Sequence, residues 1–216
     1  MRTFSWIGND HSAAFWEGVV GEAIYKKSAW ASSNLGHPLR PVSSYGVAKL
    51  AAEKYLAYYE EEHGIDTVSL RYANVYGPRQ NPHGEAGVVA IFAKAMLDGT
   101  QPVIYGDGEQ TRDYVYVGDV VRANLAALAY DGTGVFNVGT GRETSVNTLF
   151  RELRDATGAE VDEHHGPAKL GEQQRSVLGH GQTTETLGWA PQVDLEEGLA
   201  RTANWFEKRS ADGRDP

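Results

Sequence analysis

The chain has 216 residues, 41% hydrophobic and 23% charged, enough to bury a core in one domain or two small ones. Its net charge of -9, with no Lys/Arg cluster, argues against a nucleic-acid partner, which needs a basic face to displace counterions. The absence of cysteine excludes disulfides, thiolate-bound zinc and thiol catalysis, and no uncharged apolar run approaches the ~18 residues of a membrane span or forms a signal peptide, so a cytoplasmic protein is expected.

Residues 1–40 show no sustained period; a short strand at Gly18–Tyr25 is the one element expected there. From Ser43 the pattern changes. SSYGVAKLAAEKYLAYYEEEHG predicts a long helix, capped by Ser43 or Ser44 and stopped by Gly64. Val47, Leu50, Ala51, Tyr55 and Tyr58 recur at three and four and predict its buried face. Asp66–Tyr72 is β-branched and bounded by turns, hence a strand, and a Gly/Pro/Asn-rich loop follows. Next come a helix at Val88–Leu97, a strand at Gln101–Tyr105, a GDGEQ turn and an extended piece at Asp113–Val117. A helix at Val120–Tyr130 and a strand at Gly134–Val138 precede a helix at Ser145–Thr157 capped by Ser145. A last amphipathic helix spans Leu195–Lys208 with Asp194 as cap. Strands alternating with helices predict an α/β layered fold with a largely parallel sheet.

Tyr45 and Lys49 stand four residues apart on the long helix, one above the other on the same face. A phenol, with pKa ≈ 10, is too weak an acid to serve as a base near neutrality; an ammonium within ~4–6 Å favours the phenolate. A shielded pair of this kind can take a proton from a sugar hydroxyl while a nicotinamide takes the hydride. By itself Tyr-x-x-x-Lys is a weak signal in a chain with eleven tyrosines.

The context is more specific. HPLRPVSSYGVAKLAAEKYL, LRYANVYGPRQNP, VIYGDGEQTRDYVYVGDVVRANLAAL, FNVGTGRETSV and LGWAPQVDLEEGLARTANWF occur in this order over residues 37–208. Together they resemble the sequence blocks of the NAD-dependent epimerase/dehydratase family, the extended short-chain dehydrogenases/reductases, and among these the nucleotide-sugar 4-epimerases acting on UDP-glucose. The resemblance implies a partial Rossmann-like parallel sheet, its N-terminal strands missing, with a smaller C-terminal α/β substrate-binding region. Residues 1–36 would be an atypical remnant of the nucleotide-binding half, and residues 37–216 would hold everything else.

The resemblance also implies roles. Tyr45 would be the catalytic base. Lys49 would hold the nicotinamide ribose and lower the tyrosine pKa, with Tyr72 and Ala73 also at cofactor-binding positions. Asn74 would contact the sugar-nucleotide diphosphate and Arg112 would pair with a phosphate, which a guanidinium matches through two parallel hydrogen bonds. Lys169 would supply a second phosphate contact, Glu172 would meet the nucleotide ribose, and Val88 would open a segment packed near the base. NAD would be the cofactor and a nucleotide sugar the substrate. A homodimer, weakened by truncation, would form through the Tyr-Lys helix.

Two departures from the family pattern bear on activity. No Gly-x-x-Gly-x-x-Gly turn, the pyrophosphate cradle, occurs in the sequence. Aligned through Tyr25, Gly21 falls where the family places a catalytic Ser or Thr, so one hydrogen bond to the reacting oxygen would be lost. The sequence therefore leaves three functions: a 4-epimerase or part of one, a 4,6-dehydratase, or an inactive sugar-nucleotide-binding remnant. The dehydratase would need adjacent acids near that hydroxyl, where the sequence has only Glu22.

Overall fold

A computed structural model describes residues 3–4, 39, 41, 44–83, 87–169 and 173–211. The strand expected at Gly18–Tyr25, a cap at Ser43 and the side chain of Glu172 lie outside these residues. In chain order the elements are β1 (Thr3–Phe4), α1 (Ser44–His63), β2 (Thr67–Tyr72), β3 (Asn74–Tyr76), α2 (Val88–Leu97), β4 (Ile104–Tyr105), β5 (Thr111–Arg112), β6 (Tyr114–Tyr116), α3 (Val117–Ala129), β7 (Gly134–Val138), β8 (Thr144–Ser145), α4 (Val146–Thr157), β9 (His165–Gly166), α5 (Gly181–Leu187) and α6 (Leu195–Ala211). Among the described residues no helix is long and apolar enough to cross a membrane.

The main sheet is parallel, with order β1-β2-β7, and Val68 to Tyr72 register against Gly134 to Val138. The chain makes three further small pairs: β3 with β6, β4 with β9, and β5 with β8. Parallel pairing needs a crossover, and α3 supplies part of the one between β2 and β7. It packs Val120, Ala123 and Ala127 against Leu70, Phe136 and Val138 in a first core, which Trp189 completes. A second core lies among α2, α4 and α6, where Phe92, Met96, Phe150, Leu153, Leu199 and Phe206 are each 3% exposed or less.

Caps set the helix ends. Ser145 Oγ accepts from Thr148 N at 3.1 Å, and Asp194 Oδ1 accepts from Glu197 N at 2.9 Å, as the sequence predicts. Gly158 ends α4 and Gly188 ends α5, each at φ 64°. Gly198 sits inside α6 because a Cβ there would come within 2.0 Å of the Tyr76 hydroxyl.

One expectation is overturned. Of the predicted apolar face only Leu50 is half-buried: Val47, Tyr55 and Tyr58 are 54%, 66% and 51% exposed, and Ala51 is exposed too. The less exposed positions are Gly46, Lys49, Leu50, Ala52, Glu53 and Leu56. The inner face is therefore turned around the helix axis, and it is chosen by Glu53, whose carboxylate takes Arg71 Nε at 2.9 Å and Nη2 at 2.5 Å. Smaller shifts follow local chemistry. The strand before the GDGEQ turn shortens to Ile104–Tyr105, and α3 starts three residues early, at Val117.

Candidate functional site

Three residues separate α1 from β2, so the helix runs back along the strand and its N-terminal turns lie at the strand's C-terminal end. The Arg71–Glu53 fork fixes this placement, since Arg71 is the penultimate residue of β2. Lys49 and Tyr45 then follow one and two helical turns beyond Glu53, about 6 and 12 Å along the axis. The Lys49 ammonium lies 5.7 Å from the centroid of the Tyr45 ring, so the two side chains share one environment. Tyr45 is 39% exposed, and burial lowers the Lys49 pKa from its ordinary value. At that exposure the phenol is in contact with water.

The next candidates lie just past β2. Tyr72 is buried, and its hydroxyl donates to Asn124 Oδ1 on α3 at 2.9 Å; desolvation raises the phenol's pKa. That side chain is held inside the first core, which leaves its main chain at the strand end. Ala73 N donates to Val138 O at 2.9 Å, and Asn74 N to Asp113 O at 2.8 Å. Asn74 thereby opens β3 opposite Tyr114, next to Arg112.

Arg112 is 5% exposed, and its Nη1 donates to Thr111 O at 2.9 Å and to Gln173 O at 2.8 Å. These carbonyls hold the guanidinium in place. Lys169, by contrast, sits with its ammonium 4.2 Å from the centroid of the Tyr105 ring, a cation–π contact at an exposed site. Val88 is the first residue of α2 and packs half-buried against the second core. The structure thus brings Tyr45 with Lys49, and Asn74 with Asp113, the neighbour of Arg112.

Two devices have no role that the sequence alone discloses. The Arg71–Glu53 fork is one; Arg71 lies within the LRY block, yet nothing in its spacing announces a partner on the preceding helix. The other is Asp113. Its carboxylate is fully buried and accepts from Thr140 N, Thr140 Oγ1, Gly141 N and Leu178 N at 2.6–3.1 Å. Burial pushes its pKa up, and these four donors pull it back. Asp113 ties the turn after β7 to the chain at Leu178. Gly139 has no room for a side chain, because a Cβ would lie 2.6 Å from Asp113 Oδ2.

The model of the NAD dependent epimerase/dehydratase family matches residues 21–139. This chain belongs to that family. The match reaches back into the stretch 1–36, which the motif blocks alone leave outside the family pattern. The UDP-glucose 4-epimerase of Mycolicibacterium smegmatis is 48% identical over 174 residues, which cover 80% of this chain and 56% of that protein. The crystal structure of UDP-glucose 4-epimerase from Thermotoga maritima with UDP-glucose is similar at a TM-score of 0.84 and 47% identity, over 89% of this chain and 62% of that one. The UDP-glucose 4-epimerase of Thermus thermophilus, in complex with NAD, matches at a TM-score of 0.78 and 39% identity, over 88% and 61%. The chain therefore spans about three-fifths of the length of these family members.

Proposed function

We propose that the protein carries the Tyr-Lys helix and the sugar-nucleotide-binding region of a UDP-glucose 4-epimerase. The observation that carries this reading is the Tyr45–Lys49 pair, its ammonium against the ring on the exposed end of α1, which the Glu53–Arg71 fork sets at the C-terminal edge of a parallel sheet. In open α/β sheets ligands bind outside that edge. The identities of 47% and 48% to UDP-glucose 4-epimerases support the same substrate class.

The residues suit NAD in part. A phenol and an ammonium on one exposed face match the vicinal hydroxyls of a nicotinamide ribose, so Lys49 and Tyr45 would hold that end of the cofactor. NAD, when bound, supplies the acceptor and later the donor of a hydride. The chain's own part is proton handling. Tyr45 takes the proton from the sugar 4-hydroxyl, and the Lys49 charge lowers the cost of the phenolate. Asn74 and Arg112 hold the diphosphate, and the family resemblance assigns Lys169 to a second phosphate contact and Glu172 to the nucleotide ribose. Val88 closes against the base. Tyr72 and Ala73 flank the cofactor through their main chain.

Incubating the purified chain with NAD and UDP-galactose tests the reading. UDP-glucose should accumulate, and Tyr45→Phe should abolish it. A second reading rests on Gly21, which stands where the family has a catalytic hydroxyl. It has the chain bind UDP-sugars without turning them over. UDP binding in calorimetry with no product supports this second reading. Neither product nor UDP binding refutes both.

A further inference from the structure

Gln173 is a polar side chain that the proposed chemistry does not use. It is 9% exposed, and both Nε2 and Oε1 are buried with no hydrogen-bond partner among the described residues. Three other enclosed amides among the described residues use at least their donor group. Asn137 Nδ2 reaches Gly179 O at 3.3 Å, Asn147 Nδ2 reaches Asp107 O at 2.9 Å, and Gln80 Nε2 reaches Val75 O at 3.1 Å. A buried amide left unpaired costs about 1–3 kcal/mol, so an amide idle at both ends needs a physical reason.

Its backbone is not free to turn the amide outward. Gln173 O accepts from Arg112 Nη1 at 2.8 Å. The following residues are bound to β5, with Thr111 N donating to Gln174 O at 2.8 Å and Ser176 N donating to Thr111 O at 3.1 Å. The carboxamide is thus anchored on the same residue that holds the guanidinium. A carboxamide offers two N–H donors and one acceptor. The partner it lacks must both accept and donate, as a phosphate oxygen beside a hydroxyl group does.

We infer that Gln173 is a substrate-positioning residue: Nε2 donates to a diphosphate oxygen of the sugar nucleotide, and Oε1 accepts from a hydroxyl of the same ligand. This rests on the proposed binding of a nucleotide sugar beside Arg112, and it adds a neutral contact that reads phosphate and hydroxyl together. A charged neighbour would read only the phosphate.

The test compares wild type with Gln173→Leu and Gln173→Glu, measuring UDP-glucose affinity by calorimetry and the denaturation midpoint without ligand. Gln173→Leu should bind about tenfold more weakly, the worth of a hydrogen bond to a charged group, while its ligand-free midpoint holds or rises because an unpaired amide is gone. Gln173→Glu should bind more weakly still, since its carboxylate faces the diphosphate. Unchanged affinity in Gln173→Leu overturns the inference. So does a lower ligand-free midpoint in Gln173→Leu that accounts for the weaker binding, because the amide would then be structural. No binding of UDP-glucose by wild type refutes the proposed function itself and removes the inference with it.

Discussion

The Tyr-Lys helix is held to the sheet by a buried ion pair. Arg71 and Glu53 are 6% and 12% exposed in their side chains, and the guanidinium grips the carboxylate through two hydrogen bonds, at 2.9 and 2.5 Å. Replacing Glu53 by Ala leaves the Arg71 charge in the interior without its partner. Such a break costs about 3–5 kcal/mol, whereas replacing both members with apolar residues of similar volume is often neutral or stabilising. For a chain of this size each kcal/mol moves the melting temperature by about 2–4 °C, so Glu53→Ala should lower it by roughly 6–20 °C. The double variant Glu53→Leu/Arg71→Leu should return close to wild type. Thermal denaturation followed by circular dichroism gives all the corners once the matching single variants are added. A loss below about 1 kcal/mol in Glu53→Ala, or effects that simply add in the double variant, would refute the reasoning. The fork would then be a surface-like pair and not the anchor of α1.

Two further outcomes follow from the geometry. Gly139→Ala would press a methyl to 2.6 Å from Asp113 Oδ2 and 2.8 Å from Leu178 Cβ, displacing the carboxylate from its donors; a loss of about 3 kcal/mol is expected in urea denaturation, and an unchanged midpoint would show that the turn relaxes freely. Glu143 bridges Thr111 and Arg175, and its bond to Arg175 holds its pKa below the ordinary 4.5. A depressed folded pKa means that the stabilisation is full above pH 4.5 and fades as pH falls through the folded value. Glu143→Gln should therefore flatten the acid limb of stability against pH, by less than about 1 kcal/mol because the pair is exposed, and an unaltered acid limb would count against it.

The long helices, the two longest strands and the caps at Ser145 and Asp194 were legible because their signals are local: periodicity, turn residues and a side chain three positions from the N–H that it accepts. What sequence periodicity missed was set by distant partners. It placed α1 correctly but assigned the wrong face, since Val47 and Tyr58 carry the apolar pattern while Glu53 carries the partner. The helix α5 reads as GQTTETL, without an apolar stripe. Its place comes from Thr183 Oγ1 donating to Asn137 O at 2.6 Å and Thr184 Oγ1 to Trp189 O at 2.8 Å. The two-residue strands β5, β8 and β9 pair across long stretches of chain and have no sequence signature of their own, whereas β4 lies inside the strand read at Gln101–Tyr105. Of the candidate site, Tyr45–Lys49 was legible from spacing and Arg112 from its block. Gln173 was not, because an idle amide is visible only once burial is known.

The donors gathered on Asp113 come from positions up to 65 residues further along the chain. Closing so long a loop costs entropy before any contact repays it, which makes this knot a late event in folding. A nascent chain still waiting for Leu178 to leave the ribosome would hold a desolvating carboxylate with part of its donor set absent. The turn at Thr140 and Gly141 and the chain at Leu178 would thus be joined only after Leu178 has emerged.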